Sequence, residues 1–480
     1  MYLFFLTILG LFLRLINIDK PEGLWNDEYV SWMISAIPFG KGFFEGILKQ
    51  CHMPLYYFYL KPFVYMNDVC LRFTSILPSL LSIPVMYLVG KEFSKKNGYI
   101  CALLTSILPF LVYYAQEVRF YSLLFFESAL LLLFLIKIIN NKKGWIGYSI
   151  VSILILLTHV LGWIYLFCTF SYIVYKKRTL SKLMGFLLIS SVLILLPFGL
   201  NIIKMIPSSQ WWGSFSYTNI LFLFTDYLSP ILTNHVNAPR IFFYNKELLF
   251  IIFITIPTLI GLYFIFKGGK YARGLASVIV LTIIATALLA CTGKIVFVTK
   301  YTIEILPILI LLFALGVQNK FDKILLSIFI FLQLFSVFTP YYSVKHFKPE
   351  GHKLVADILK KIKNDKIVFT YYEPNRFYRY YEPKSETISI DKSERFNFLK
   401  TPNLLLNKIK TGDIVSFVIL DSVSFIPKNL IQIAEENKNP EMFVTFSKIK
   451  ILLMNELTKN YRNHKVERKG SWTVITATKK

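Results

Sequence analysis

Two adjacent carboxylates, Asp27 and Glu28, stand in the run Trp25-Asn26-Asp27-Glu28. A carboxylate of this kind can take a proton from a hydroxyl group, acting as a general base. The same residues also read as a solvated turn or a helix cap, with Asn26 or Asp27 capping a short helix through Tyr29 to Ala36. Further polar positions follow in order. They are His52 in His52-Met53-Pro54-Leu55-Tyr56-Tyr57, then Arg72, then Gln116, Glu117, Arg119 and Tyr121 in Tyr113 to Tyr121, then Thr158-His159, and Lys300-Tyr301 followed by Glu304 and Pro307.

Each has an ordinary structural explanation. The His52 segment is a Pro-fixed turn with interfacial aromatics, Arg72 and Lys300 snorkel, Glu117 and Arg119 pair, and His159 is a hydrogen-bonded lone histidine. As a set they hold a base and several cations, which suits displacement at a carbon bearing a phosphate leaving group. Arginine is favoured for that contact because its planar fork meets two phosphate oxygens.

The elements that must position these residues cross a membrane. Of 480 residues, 55% are hydrophobic and 17% charged, which leaves too much apolar surface for an ordinary soluble core. Apolar runs long enough to span a bilayer recur from Tyr2 to about Tyr342. The first run, Tyr2 to Ile18, lacks a basic leader and a small-x-small cleavage site, so it reads as a transmembrane helix. Helices are expected near 2–18, 71–90, 98–115, 120–139, 145–158, 160–175, 183–203, 248–266, 274–292, 301–317 and 324–342, about eleven crossings.

The net charge is +25, but many of the cations sit in short loops and fix topology without implying nucleic acid. Lys91, Lys95, Lys96, Lys142, Lys143, Lys176, Lys177, Arg178, Lys182, Lys267, Lys270, Arg273, Lys320 and Lys323 all fall on one side, which the positive-inside rule makes cytoplasmic. The outer face then receives the loop Asp19 to Cys70, the turn at Glu117, the segment Met205 to Glu247, the loop Thr292 to Lys300 and the C-terminal region. The N-terminus is expected in the cytoplasm. The stretch Ile220 to Leu232, apolar but short, reads as interfacial or re-entrant.

Cys101, Cys168 and Cys291 fall in apolar runs, Cys51 and Cys70 share the first outer loop and read as free thiols, with a disulfide between them the alternative if that loop faces an oxidising compartment, and no spacing suggests a metal or cofactor. From about Lys345 charge returns and apolar runs shrink to strand length. A helix is expected over 353–363 and strands over 366–370, 386–390, 413–420 and 472–477, giving a small soluble α/β domain over 345–480 behind a membrane domain over 1–344.

The residues alone define an outward, polar, mixed-charge cavity, which serves a transferase or a transporter equally. Their order adds more. The Asp27-Glu28 pair, the His-x-Pro-Leu-Tyr-Tyr segment, Arg72 before Ser75 and Pro78, the Gln-Glu-x-Arg-x-Tyr segment and Thr158-His159 resemble the GT-C glycosyltransferases of the dolichyl-phosphate-mannose protein mannosyltransferase and aminoarabinose transferase group. The likeness is fullest from the first helix through the sixth. Where related sequences often have Arg-Tyr, this chain has Lys300-Tyr301, keeping the charge without the fork.

The resemblance implies a polytopic GT-C fold and an inverting glycosyltransferase at the outer face of the cytoplasmic membrane. The donor would be a polyprenyl-phosphate monosaccharide and the acceptor a lipid, glycan or protein. Asp27 takes the catalytic carboxylate role with Glu28 beside it. His52, Arg72, Gln116, Glu117, Arg119, Tyr121, His159, Lys300 and Tyr301 are candidates for donor phosphate and substrate binding. The principal alternative is a lipid-linked saccharide flippase or transporter, which places polar residues near helix centres. A polymerase or ligase of the same general architecture would lack the Asp-Glu pair, and a non-catalytic scaffold would need none of the set.

Overall fold

The computed structural model describes residues 1–19, 23–50, 52–177, 185, 196, 199–200, 218–229, 251–292, 297–337, 356–357, 359–360, 366–369, 387–389, 410–411, 413–420, 459–469 and 472–480. The chain divides into two compact units, Met1–Ile18 with Val30–His346, and Asp19–Tyr29 with Phe347–Lys480.

The first unit is helical. Its leading elements are α1 Tyr2–Leu15, α2 Asn26–Ala36 from Val30 onward, α3 Lys41–Lys49, α4 Leu55–Leu60, α5 Asp68–Lys91, α6 Lys95–Ile107, α7 Pro109–Ala115, α8 Tyr121–Ile139, α9 Trp145–Thr158 and α10 Gly162–Lys177. Later come α11 Thr218–Leu228, α12 Ile256–Gly269, α13 Arg273–Cys291, a 3₁₀ segment Thr299–Ile305, α14 Leu306–Gly316 and α15 Lys320–Val337. Five helical stretches among the described residues are long and apolar enough to cross a membrane, and a sixth is added if α6 and α7 count as one broken span. Lipid as solvent explains faces such as Phe4, Phe5, Ile8 and Phe12 of α1, which are exposed while Gly10, Leu13 and Arg14 are buried.

Helices occupy ten of the eleven expected positions; the expected span 183–203 lies almost wholly outside the described residues. One expectation is corrected. The run 98–115 is not a single helix, because Leu108 is extended (φ −58°, ψ 118°) and α6 and α7 meet at a 54° bend. Pro109 is the cause: it has no amide hydrogen and disfavours the helical region for the residue before it. Of the region 220–232, residues 220–228 lie in α11, eleven residues long, and 230–232 lie outside the described residues. Cys70 is a free thiol, whereas Cys51 lies outside the described residues.

Caps and close approaches set the packing. The Asn67 side chain accepts from the Cys70 amide to start α5, and Ser94 does the same for α6. Between them, a Cβ on Gly90 would lie 2.5 Å from the Asn97 carbonyl oxygen, so glycine lets the two helices turn tightly together. At α12 and α14 the backbones nearly touch: a Cβ on Gly268 would lie 1.8 Å from the Leu312 carbonyl oxygen, and one on Gly316 2.2 Å from that of Phe264. Ahead of α5, the short helices α2 to α4 share a core of Ile34, Phe43, Ile47 and Tyr57, and the Trp32 indole donates to the Val64 carbonyl at 2.7 Å. Pro78 within α5 leaves the Thr74 carbonyl without its helical donor, and the Tyr59 hydroxyl of α4 supplies one at 2.8 Å.

The second unit contains a five-stranded sheet of order β2-β1-β3-β5-β4. Its strands are β1 Lys366–Phe369, β2 Thr387–Ser389, β3 Ile414–Leu420, β4 Tyr461–Lys469 and β5 Trp472–Lys479. β1 pairs in parallel with β2 and β3, while β5 pairs antiparallel with β3 and β4. Val415 and Phe417 bury one face, and Ser416 meets Thr476 across the ladder at 2.9 Å. Four strands match the alternation read from the sequence. β4, Tyr-Arg-Asn-His-Lys-Val-Glu-Arg-Lys, has too little apolar periodicity to be expected; it is a sheet edge, where charge protects an open ladder. Of the helix expected over 353–363, only 356–357 and 359–360 are described, and they are helical.

Candidate active site

The buried turn 116–120 between α7 and α8 places Arg119 at the centre of a polar cluster in the first unit. Its guanidinium donates through Nη1 to Ser31 Oγ of α2 at 3.2 Å and through Nη2 to His52 Nε2 at 3.4 Å. It also lies over the rings of Phe120 and Tyr121, at 5.4 and 5.8 Å. Its carbonyl accepts from Ser75 Oγ of α5 at 3.2 Å, with the Tyr56 hydroxyl 3.5 Å behind that serine. Lys300, at the start of the 3₁₀ segment, brings its ammonium to 5.7 Å from the same Tyr121 ring and 5.3 Å from Tyr301. Two cations from distant parts of the chain thus share one aromatic ring.

The histidines stand among these cations. His159 caps α9 in an extended conformation, and its ring stacks between Phe120 at 4.7 Å and Tyr301 at 5.5 Å. Burial, reinforced by the Arg119 charge, pushes its pKa down to about 3. Burial likewise holds His52 well below the usual histidine range, and Arg119, His159 and Lys300 add to the effect. Both rings are therefore neutral at neutral pH. Because a guanidinium only donates, His52 Nε2 accepts from Arg119, so the ring proton sits on Nδ1 and is donated to the Tyr57 hydroxyl.

Of the remaining expected residues, Arg72 and Gln116 reach the end of α1. Arg72, fully buried, donates to the Ile18 carbonyl at 3.0 Å. Gln116 donates its amide hydrogens to the Arg14 and Ile16 carbonyls, at 2.8 and 2.7 Å. These carbonyls lie at and beyond the last turn of α1, where intrahelical donors run out. Glu117 is buried in the turn, and its carbonyl accepts from the Arg119 amide at 2.7 Å.

Asp27 and Glu28 lie in the first turn of α2, which groups with the second unit. Glu28 is fully buried and its carboxylate accepts from the Trp25 amide at 3.1 Å, the reach-back of a capping box. Asp27, the second helical residue, is half-buried.

Reading the sequence missed Ser31, Tyr57 and Phe120, none of which carries a charge, although Tyr57 and Phe120 lie within singled-out segments. It also passed over Glu127, whose carboxylate accepts from Thr158 Oγ1 at 3.0 Å. Among the described residues no three His, Cys, Asp or Glu side chains converge as metal ligands do.

No family model matches the sequence, and no curated protein matches it. Solved structures do. The chain superposes on ArnT from Cupriavidus metallidurans bound to undecaprenyl phosphate with a TM-score of 0.52 at 11% identity, covering 98% of this chain and 97% of that one. The apo state of the same protein gives the same values. An oligosaccharyltransferase from Archaeoglobus fulgidus, crystallised with Zn and sulfate, overlaps at a TM-score of 0.46 and 12% identity over 87% of this chain and 68% of that one. The ArnT match runs nearly end to end, and the chain shares that protein's fold.

Proposed function

We propose that the protein is a membrane glycosyltransferase that moves a monosaccharide from a polyprenyl-phosphate carrier to a hydroxyl of a lipid, glycan or protein on the outer face of the cytoplasmic membrane. The observation that carries the reading is the convergence of Arg119 and Lys300 on Tyr121, with neutral His52 and His159 between them. This lies in a fold shared with a protein that was crystallised with undecaprenyl phosphate.

In the proposed reaction the acceptor oxygen attacks the anomeric carbon as the bond from that carbon to the phosphate oxygen breaks. A single displacement inverts the anomeric centre. Asp27 takes the acceptor proton, and the polyprenyl phosphate leaves with the bonding pair. Its added charge is met by Arg119 and by Lys300, whose ammonium gives a point contact where arginine would give a fork. Ser31 and His52 fix the guanidinium from two sides, so little reorganisation remains at the moment of transfer. Glu28 caps the turn that presents Asp27, which makes it a support for the base. Arg72 and Gln116 contribute by holding the end of α1, from which the Asp27 loop departs.

A transporter reading draws on different residues. Glu127 and Glu304 are both buried inside the apolar elements 121–139 and 299–316, nearer helix interiors than the rest of the set.

Binding separates the two. Titration of the purified protein in nanodiscs with undecaprenyl phosphate should show saturable binding, weakened about 10- to 100-fold by Arg119→Gln or Lys300→Gln as a charge-assisted contact is lost and unchanged by Glu127→Gln. Equal affinity in wild type and both cation variants would overturn the phosphate site.

A further inference from the structure

Arg14 is a guanidinium in the middle of apolar surroundings, and it is fully buried. Such a group is costly at membrane depth and is retained where its partners need it. Its Nε donates to Ser79 Oγ at 2.8 Å, Nη1 to the Gly10 and Ser106 carbonyls at 2.9 and 3.0 Å, and Nη2 to the Thr105 carbonyl at 3.0 Å. Gly10 keeps the space open, since a Cβ there would lie 2.5 Å from Ile83 and 3.2 Å from the guanidinium.

Thr105 and Ser106 are the carbonyls that the α6–α7 break would leave bare. In an uninterrupted helix they would accept from residues 109 and 110. Pro109 has no hydrogen to give, and the 54° bend carries Phe110 into the next helix. The planar fork of Arg14 spans the two adjacent carbonyls and replaces both donors. At the far end of α7 the connection returns: Gln116 donates to the carbonyl of Arg14 itself. One residue of α1 is thus tied to both ends of the seven-residue helix that leads into the turn bearing Arg119.

We propose that Arg14 is a positioning residue for the candidate site. By standing in for the amide hydrogens lost at Pro109 it holds the angle of the α6–α7 break, and so the placement of residues 116–121 and of the Arg119 guanidinium. The pairing of Tyr59 with the Thr74 carbonyl freed by Pro78 is the same device one layer nearer α4.

The proposal concerns the site described above, and its test separates the two. Hydrogen exchange of amides 116–121 and undecaprenyl phosphate binding are measured on the full chain in nanodiscs for wild type, Arg14→Met, Arg14→Lys, Pro109→Ala and the Arg14→Met/Pro109→Ala pair. Arg14→Met should speed exchange at 116–121 and weaken binding, each by about 10-fold or more, as displaced functional groups do, while exchange across α12 and α14 stays at the wild-type rate. Arg14→Lys, a point charge, should restore less than half of either effect. Pro109→Ala returns a donor to Thr105 and removes the break, so it should weaken binding by itself, and adding Arg14→Met should cost less than about 3-fold more.

Wild-type exchange at 116–121 in Arg14→Met, full rescue by lysine, or additive effects of the two substitutions would each overturn the proposal. Should Arg14→Met fail to fold, Arg14→Lys and Pro109→Ala decide it. Absence of undecaprenyl phosphate binding by wild type would refute the proposed donor, while the exchange result would still judge Arg14.

Discussion

At the scale of single residues, the proposed site rests on two cations and two histidines kept neutral. The histidines link its integrity to pH. His159 is neutral in the fold down to a pKa of about 3, while in the unfolded chain it takes a proton below about 6.5. The unfolded state therefore binds more protons between those values. Stability from this group is complete above the mid-6 range and falls as pH drops, by about 1.4 kcal/mol per pH unit at most. The unfolding midpoint should decline from pH 7.5 to pH 5, and His159→Gln should flatten that decline; an unchanged slope would show that the ring is not buried as described. Glu28 gives a second residue-scale prediction. Because it caps α2, Glu28→Ala should cost about 0.5–2 kcal/mol of stability, with Glu28→Gln recovering most of it and keeping activity, as measured by thermal unfolding alongside transfer. If Glu28→Gln retained stability but abolished transfer, the carboxylate would be catalytic and the capping account insufficient.

At the scale of elements, α12 and α14 pack backbone against backbone at Gly268 and Gly316. Gly268→Ala or Gly316→Ala must push two helices apart, because the obstacle to the new Cβ is a carbonyl of the partner helix and not a movable side chain. Overpacking of this kind costs about 1–3 kcal/mol, so each variant should lower the unfolding midpoint by several degrees, while Gly269→Ala, where a Cβ meets only Ala276 at 3.9 Å, should change little.

The elements also show what the sequence discloses. Helices α5, α8 and α13 were legible because long apolar runs end at basic residues or caps. The α6–α7 break was hidden inside one such run, since Pro109 in an apolar stretch does not by itself announce a bend. β4 was hidden because a charged edge strand has no alternation to read. At the site, charge and order drew attention to Asp27, His52, Arg119, His159 and Lys300. They give no notice that Arg119 donates to Ser31 and His52 while Arg72 and Gln116 donate to carbonyls at the end of α1. Donor geometry is invisible in a string of residue types. Arg14 draws no notice for the same reason: apart from the Ser79 hydroxyl, its hydrogen bonds given above go to backbone carbonyls, which leave no mark in the sequence.

At the scale of the whole molecule, the loop charges predict an orientation by the positive-inside rule. Reporter fusions should place the loop 19–70 and the C-terminal sheet outside the cytoplasm, and Lys95 and Lys142 within it; a cytoplasmic loop 19–70 would remove Asp27 from the outer face. The central claim is transfer itself. The direct measurement follows a labelled sugar from a panel of polyprenyl-phosphate monosaccharides into lipid, glycan and protein fractions, comparing wild type with Asp27→Asn. The account predicts transfer from at least one donor by wild type. It also predicts a loss of at least about 100-fold in Asp27→Asn, as expected when a general base is removed, in a variant that still inserts and unfolds at the wild-type temperature. Undiminished transfer by Asp27→Asn, or no transfer by wild type from any donor alongside movement of the lipid-linked sugar across the membrane, would contradict it.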